Sequence, residues 1–179
     1  LPSKYKRPTL AKLYRSYISE TVAVLNGDPQ CYEVNIHGDA VWGVFNTPWK
    51  SQIDDTFSTA AKIRSLVHIL NWRYSKWSID PIRVGVGLAY GRALMIKAGH
   101  KGSAVNEVVW MGDVVNQASN LCGQAGKGLS PGLLVSGGIY QNLTDENKKI
   151  LYQTSYSPAV YGGDIVNVAM EQWLAEQRK

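Results

Sequence analysis

Cysteine and long apolar runs are scarce in this chain of 179 residues. The two cysteines, Cys31 and Cys122, make neither a disulfide framework nor a cysteine zinc cluster. We therefore expect two reduced thiols in a cytoplasmic protein. No apolar run reaches the ~18 residues that a membrane-spanning helix needs, so we expect no spanning segment. Charged residues make up 18% of the chain, too few for a charge-rich disordered protein.

Motifs of several common ligand-binding folds are also missing. The pattern GxxxxGK[ST] is absent, which excludes a P-loop. The run Gly85-Val86-Gly87 begins like a dinucleotide fingerprint, but Tyr90 stands at the third glycine position and a strand is predicted to follow. Strand glycines that allow a close backbone approach explain this run better. The three histidines, His37, His68 and His100, share no metal-ligand spacing.

The charge that is present is biased toward the positive sign. The chain has 19 Lys and Arg against 14 Asp and Glu, a formal net charge of +5. This balance suits a polyanionic partner. Nucleic acid is not favoured, because the sequence shows no basic stripe interleaved with aromatic residues. A small phosphorylated substrate needs few cations, and solvated surface is the alternative explanation of the remaining charges.

Hydrophobic periodicity predicts alternating helices and strands. Apolar residues recur at steps of three and four from Thr9 to Leu25 and again after Ser51, which predicts two helices with these two hydroxyl residues near their N-termini. Alternation over Cys31–His37, followed by Gly38-Asp39 and an apolar run, predicts a hairpin. The later predicted elements are strands over 82–90, 93–98, 107–111 and 133–135, a helix over 113–122 capped by Asp113, short helices over 139–143 and 145–151, and a last strand over 161–170.

This order of elements is typical of the α+β class. We predict a ferredoxin-like βαββαβ arrangement, a mostly antiparallel sheet with helices packed on it. We predict one domain over residues 1–179, with the first strand of that arrangement missing from these residues.

Two segments place polar side chains where a substrate approaches the backbone. Residues 35–41, NIHGDAV, place Asp39 at the tip of the predicted hairpin, where a carboxylate suits Mg²⁺ or Mn²⁺. Ordinary turn chemistry is the alternative role of this residue. Residues 109–119, VWMGDVVNQAS, run from a strand through a tight turn into a helix, with Asn116 one turn into the helix.

In order and spacing these segments resemble the catalytic domain of the class III nucleotidyl cyclases, the adenylate and guanylate cyclase family. Three motifs carry the resemblance: Gly38-Asp39 before an apolar strand, Arg83–Gly87, and Gly112–Asn116. It covers roughly residues 9–170. It implies a metal-dependent nucleotidyl cyclase, active as a homodimer with its sites at the interface.

The resemblance assigns roles to individual residues. It implies that Asp39 is one of two aspartates that hold two Mn²⁺ or Mg²⁺ ions, and that Asn116 orients the ribose. Asn35 and Val109 match the two base-selecting positions, where purine cyclases carry Lys with Asp, or Glu.

Departures from the family pattern leave two functions without their usual residue. The second metal aspartate belongs to a strand before the first helix, and no such strand precedes Thr9. Asn120 stands where the family has the arginine that steadies the transferring phosphoryl group, and the late lysine is missing near residues 161–164. Arg92 and Lys97 are the candidates to replace these charges, and exposed strand cations are the alternative.

The absence of purine-selecting residues, with Trp110 near the base position, makes the chain most similar to the pyrimidine cyclases of bacterial Pycsar antiphage systems. This implies UTP as substrate and a cyclic nucleotide second messenger in antiphage defence. The expected substrate-binding residues are Asn35, Trp110, Lys97 and Asn120, and the expected catalytic residues are Asp39, Asn116 and Arg92. A cytidylate or purine cyclase, or an inactive cyclase-like nucleotide-binding domain, are the alternatives.

Overall fold

A computed structural model describes residues 4–99 and 106–179, which form two compact units. The first unit extends to Val84 and resumes over Asp164–Lys179, and the second is Gly85–Gly163. The helices are α1 (Arg7–Asn26), α2 (Lys50–Ser75), α3 (Asp113–Gln124), α4 (Gly137–Asn142), α5 (Asp145–Lys149) and α6 (Val168–Gln177). The strands are β1 (Cys31–His37), β2 (Ala40–Phe45), β3 (Val86–Leu88), β4 (Leu94–Gly99), β5 (Asn106–Met111), β6 (Leu133–Ser136), β7 (Tyr152–Tyr156) and β8 (Ala159–Gly163). The predicted α+β class is confirmed, while the single domain over 1–179 stays a prediction.

The first unit packs α1 against α2 and against the β1–β2 hairpin. Its buried core cluster is Leu13, Leu66, Leu70 and Tyr74. Strands β1 and β2 pair antiparallel with His37 opposite Ala40, so the predicted turn at Gly38-Asp39 is confirmed. None of the helices within the described residues is long and apolar enough to cross a membrane.

The predicted starts of the helices are wrong by one or two residues. Helix α1 begins at Arg7, before Thr9, because Pro8 in its first turn has a backbone angle already suited to a helix. Helix α2 begins at Lys50, and the backbone N–H of Trp49 donates to Gln52 Oε1 at 3.0 Å.

The second unit contains a four-stranded sheet in the order β3-β6-β8-β7 and a separate antiparallel β4–β5 hairpin. In the four-stranded sheet, β3 pairs parallel with β6 and the other neighbours pair antiparallel. Helix α3 covers this sheet through a buried cluster of Leu121, Ala125, Leu134 and Val160.

Two glycines of the segment around β3 allow α3 to lie directly on the strand. A Cβ atom on Gly87 would lie 2.6 Å from the carbonyl oxygen of Ala118, and one on Gly85 would lie 2.6 Å from that of Cys122. The prediction that these glycines serve a close backbone approach is therefore confirmed.

The predicted last strand over 161–170 is wrong. Strand β8 ends at Gly163, and α6 begins at Val168 after Asn167, whose side chain accepts from the backbone N–H of Met170 at 3.0 Å. Strand β7 was not predicted at all. Its sequence, YQTSY, has no apolar alternation because most of the strand is exposed at the edge of the sheet.

Candidate active site

An open groove of about 1450 Å³ lies in the second unit beside α3. Its walls are the segment leading into β4, the polar face of α3, the turn before β6 and the β7–β8 hairpin. Its floor includes three buried apolar side chains, Leu121, Leu134 and Val160. The groove therefore combines an apolar floor with polar walls, an arrangement that suits a ligand with both kinds of surface.

A ladder of amides forms the α3 wall. Asn116, Asn120 and Gln124 follow each other at steps of four residues, all exposed and all lining the groove. Steps of four place side chains on one helix face about 6 Å apart along the axis. An adjoining face of the helix buries Leu121 and Ala125 against the sheet, and this burial fixes the direction in which the three amides point.

Gly112 creates the turn at the start of α3. Its backbone has φ of 130° and ψ of 170°, a conformation that residues other than glycine rarely adopt. Asp113 is therefore the first helical residue, and the prediction that it caps the helix is wrong. A Cβ on Gly112 would lie 3.3 Å from the carbonyl oxygen of Arg92, so Arg92 lies beside the N-terminus of α3.

The groove is nearly neutral. Of the described residues that line it, Arg92 is the one cation and Asp113 the one carboxylate. The other polar groups of its walls are amides and hydroxyls. A ligand in this groove would therefore contact mainly neutral polar groups, with one guanidinium and one carboxylate among them.

The structure places three of the predicted site residues in one groove. Arg92, Asn116 and Asn120 all line it. Lys97 and Trp110 lie on the β4–β5 hairpin, opposite Val108 and Met95 respectively, and outside the groove lining.

The other two predicted residues belong to the hairpin of the first unit. Asp39 is exposed in the turn between β1 and β2, after Gly38 with φ of 63°. Asn35 is half-buried on β1, and its Nδ2 donates to Glu33 Oε1 at 2.9 Å.

Asp39 fits one ligand position of a divalent metal site. Its carboxylate is exposed at a hairpin tip, and carboxylate oxygens are the ligands that Mg²⁺ and Mn²⁺ prefer. Among the residues that the structure describes, no three His, Cys, Asp or Glu side chains group to hold a metal ion. The exposed carboxylate of Asp39 is therefore available to a metal ion, and the described residues around it complete no metal site.

Several groove residues were not found from the sequence. Gln124 continues the four-residue spacing of Asn116 and Asn120, a signal that helical periodicity contains. The hydroxyl-bearing side chains of the opposite wall gave no signal, because β7 was not predicted; they are Tyr152, Thr154 and Ser155.

Similar proteins include two curated relatives, although no family model matches the chain. A protein named uridylate cyclase from Treponema porcinum is 35% identical over 92% of this chain. A second uridylate cyclase, from Gulbenkiania mobilis, is 36% identical over 95% of this chain. The chain spans 59% of the length of the first relative and 72% of the second.

Solved structures of cyclases share the fold. The adenylyl cyclase CyaB from P. aeruginosa has a TM-score of 0.72 at 18% identity, over 89% of this chain and 84% of that one. A bacterial light-regulated adenylyl cyclase has a TM-score of 0.76 at 20% identity, over 100% of this chain and 53% of that one. At these identities the similarity establishes the fold, whereas the second curated relative, 36% identical and covered over 72% of its length, establishes the family. The chain belongs to the family of the uridylate cyclases.

Proposed function

We propose that the protein is a nucleotide cyclase that converts UTP to 3′,5′-cyclic UMP and pyrophosphate. The observation that carries this proposal is the 35–36% identity to two proteins named uridylate cyclase over more than nine tenths of the chain. The groove supports it, because three residues assigned to substrate chemistry line one cavity.

The reaction needs an oriented ribose hydroxyl and a cationic group that stabilises the negative charge developing on the phosphoryl oxygens. The ribose 3′-hydroxyl gives its proton to solvent and its oxygen bonds to the α-phosphorus. The bond from that phosphorus to the bridging oxygen breaks, and pyrophosphate leaves. Asn116 orients the ribose, since its amide both donates and accepts hydrogen bonds. The Arg92 guanidinium stabilises the negative charge that develops on the phosphoryl oxygens. Asn120 cannot do this, because its amide is neutral.

A pair of Mn²⁺ or Mg²⁺ ions belongs to this proposal, with Asp39 as one ligand. Bound ions of this kind lower the pKa of the attacking hydroxyl and neutralise the leaving phosphates. The exposed position of Asp39 at the hairpin tip leaves its carboxylate accessible to such an ion.

The base-selecting residues favour a pyrimidine. Val109 has no side-chain hydrogen bond to offer, and Asn35 carries a donor and an acceptor that suit the edge of uracil or cytosine. Trp110 offers an aromatic ring for stacking on the base, and Lys97 a cation for the phosphates. A purine-selective site would leave these groups mismatched, and unmatched buried polar groups are costly.

A second copy of the chain completes the proposed site. One face of the β4–β5 hairpin is apolar: Leu94 opposes Met111 and Ile96 opposes Val109, and the first three are 60%, 49% and 37% exposed. Leu94 and Met111 also line the groove, so this face continues into it. A symmetric homodimer would cover the face and carry two sites, with Asp39 of one protomer facing Asn116 of its partner.

The product fits a signalling role. We place the enzyme in the cytoplasm, where its cyclic nucleotide acts as a second messenger in antiphage defence, as the resemblance to the Pycsar cyclases implies.

The test is product analysis with each of the four ribonucleoside triphosphates and Mn²⁺. Mass spectrometry should find 3′,5′-cyclic UMP, with kcat/KM highest for UTP and next for CTP. A preference of tenfold or more for ATP or GTP, about 1.4 kcal/mol at the transition state, contradicts the pyrimidine assignment and leaves the family intact.

A nucleotide-binding domain without turnover is the second candidate. Two observations favour it: Asn120 stands in place of the arginine, and among the described residues no three His, Cys, Asp or Glu side chains group to hold a metal ion. UTP binding measured by calorimetry, with no cyclic product from any triphosphate, would select this candidate.

A further inference from the structure

A buried carboxylate lies at the base of the β1–β2 hairpin, away from the proposed catalytic residues. Asp28 is 5% exposed. Its Oδ1 accepts from the backbone N–H of Gln30 at 2.8 Å, and its Oδ2 accepts from the Thr59 hydroxyl at 2.7 Å. Thr59 is itself 2% exposed. Within the described part of the chain, no cation forms an ion pair with Asp28.

A buried carboxylate without a cation is costly, and its hydrogen bonds offset part of that cost. The pKa of the neighbouring Cys31 thiol is raised mainly by burial and to a lesser extent by the charge of Asp28. The charge of Asp28 therefore acts on the first residue of β1. The structural role of the Asp28 carboxylate follows from the residues that it connects.

Asp28 joins the start of the hairpin to α2. Its carbonyl oxygen accepts from the backbone N–H of Cys31 at 3.0 Å, which closes the turn between α1 and β1. Its carboxylate reaches Thr59, 31 residues further along the chain and on α2.

A second tie holds the same end of the hairpin. The carbonyl oxygen of Gln30 accepts from the backbone N–H of Asn46 at 2.9 Å, which joins the two ends of the hairpin. The side chain of Gln30 accepts from Gln52 Nε2 at 2.8 Å. Gln52 and Thr59 are seven residues apart, so both ties end on one face of α2.

Because the hairpin is long, a small rotation at its base displaces Asp39 at its tip by a larger distance. Seven residues of strand span about 23 Å. Residues 36–40 are exposed at the far end, so the anchored base sets the direction of the tip. A rotation of about 5° at the base moves the tip by about 2 Å over such a span. A misplacement of about 1 Å at a reacting centre can cost about a hundredfold in rate.

We propose that Asp28 is a positioning residue: with Thr59 it fixes the base of the β1–β2 hairpin and thereby the place of the Asp39 carboxylate relative to its divalent cation. This inference rests on the proposed function in taking Asp39 as a metal ligand. Asp28 touches neither metal nor substrate and acts through the hairpin.

The experiment compares four variants and adds Asp39→Ala to test the metal assignment separately. Thr59→Val removes the hydroxyl at nearly constant volume, and Asp28→Ala removes both acceptors. Asp28→Asn is the conservative variant, because its amide accepts from Gln30 and donates to the Thr59 oxygen. Ser65→Ala is the matched control: this fully buried hydroxyl of the same unit accepts from the backbone N–H of Asn167 at 2.9 Å, away from the hairpin.

Two readouts are needed for each variant. The first is Mn²⁺ affinity, from paramagnetic broadening of the amide signals of residues 38–40 during a titration. The second is the separation of kcat from KM for UTP at saturating Mn²⁺. A variant that is merely less stable changes neither quantity below its unfolding temperature.

Asp28→Ala and Thr59→Val should weaken Mn²⁺ binding about fivefold and lower kcat about tenfold or more, with KM for UTP changed less than about twofold. Asp28→Asn should recover most of both. Ser65→Ala should lower the unfolding temperature and leave Mn²⁺ affinity and kcat unchanged.

Wild-type Mn²⁺ affinity in Asp28→Ala and Thr59→Val would overturn the inference, as would an equal loss in Ser65→Ala. Should Asp28→Ala fail to fold, Thr59→Val decides. Asp39→Ala separates the two proposals. If it keeps the Mn²⁺ broadening, the metal assignment of the proposed function fails; if it alone loses the broadening, only the positioning role of Asp28 fails.

Discussion

At the scale of single residues, the chemistry of the groove depends on Asn120. This amide stands at the position where the resembled family has an arginine guanidinium. An amide donates hydrogen bonds without a charge, so it stabilises a developing phosphoryl charge less than a guanidinium does. Arg92 is the one cation among the described residues that line the groove. In the proposed reaction, Arg92 is therefore the residue expected to stabilise the charge of the transition state.

Arg92→Ala should lower kcat for UTP by about 10²–10³-fold, the loss typical of one transition-state donor. Lys127→Ala is the matched control, because it removes an exposed cation of the same unit outside the groove lining. It should change kcat less than about twofold. Steady-state kinetics check both, and equal losses in the two variants would remove the special role of Arg92.

Asp39→Ala should abolish metal-dependent turnover while the fold survives. The residue is exposed in a turn, so its loss removes little packing. Product formation at saturating Mn²⁺ and thermal unfolding measure the two effects. Unchanged turnover would take Asp39 out of the site.

At the scale of elements, the contact of β3 with α3 sets where the amide ladder points. Gly85 and Gly87 have no side chains, so the backbone of α3 lies against the strand. Leu121 and Ala125 then pack into the sheet, and Asn116 and Asn120 face the groove. A side chain at either glycine would push the helix and its amides away from the sheet.

Gly87→Ala should lower the free energy of unfolding by about 1–3 kcal/mol, because its Cβ meets backbone atoms of α3 that cannot turn aside. Gly123→Ala is the control: its Cβ would point into open space on the same helix, so it should raise stability by about 0.5–1 kcal/mol. Urea unfolding followed by circular dichroism compares them. A Gly87→Ala protein as stable as wild type would show that the contact relaxes at no cost.

At the scale of the whole molecule, the proposed site residues are divided between the two units. Asp39 and Asn35 belong to the first, and Arg92, Asn116 and Asn120 to the second. In the proposed homodimer, each site takes Asp39 from one protomer and Asn116 from its partner.

Co-expression of Asp39→Ala with Asn116→Ala should restore activity that neither variant has alone. Random pairing makes half of the dimers mixed, each with one intact site of two, so about a quarter of wild-type activity should return. Activity of the purified mixture, with differently tagged chains, measures this recovery. No recovery in a verified mixed dimer would place both residues in the same protomer's site.

The local features of the site were predictable from the amino-acid sequence. The Gly38-Asp39 turn and the glycine before α3 were predictable, because the backbone angles of a turn depend on a few neighbouring residues. The family followed from the same short motifs, whose order and spacing are visible in one dimension. The α+β class followed from the order of the periodic segments.

Contacts between side chains that are distant in sequence became visible in the folded structure alone. Strand β7 has a polar sequence and exists through its pairing with β8, so no local pattern marked it. Thr59 and Asp28 are 31 residues apart in sequence and share a hydrogen bond that packing alone creates. The sequence offered both Arg92 and Lys97 as replacements for the missing charges, and only Arg92 of the two lines the groove. Such contacts depend on chain segments that are distant in sequence, and their distance and direction are set when the helices and sheets pack.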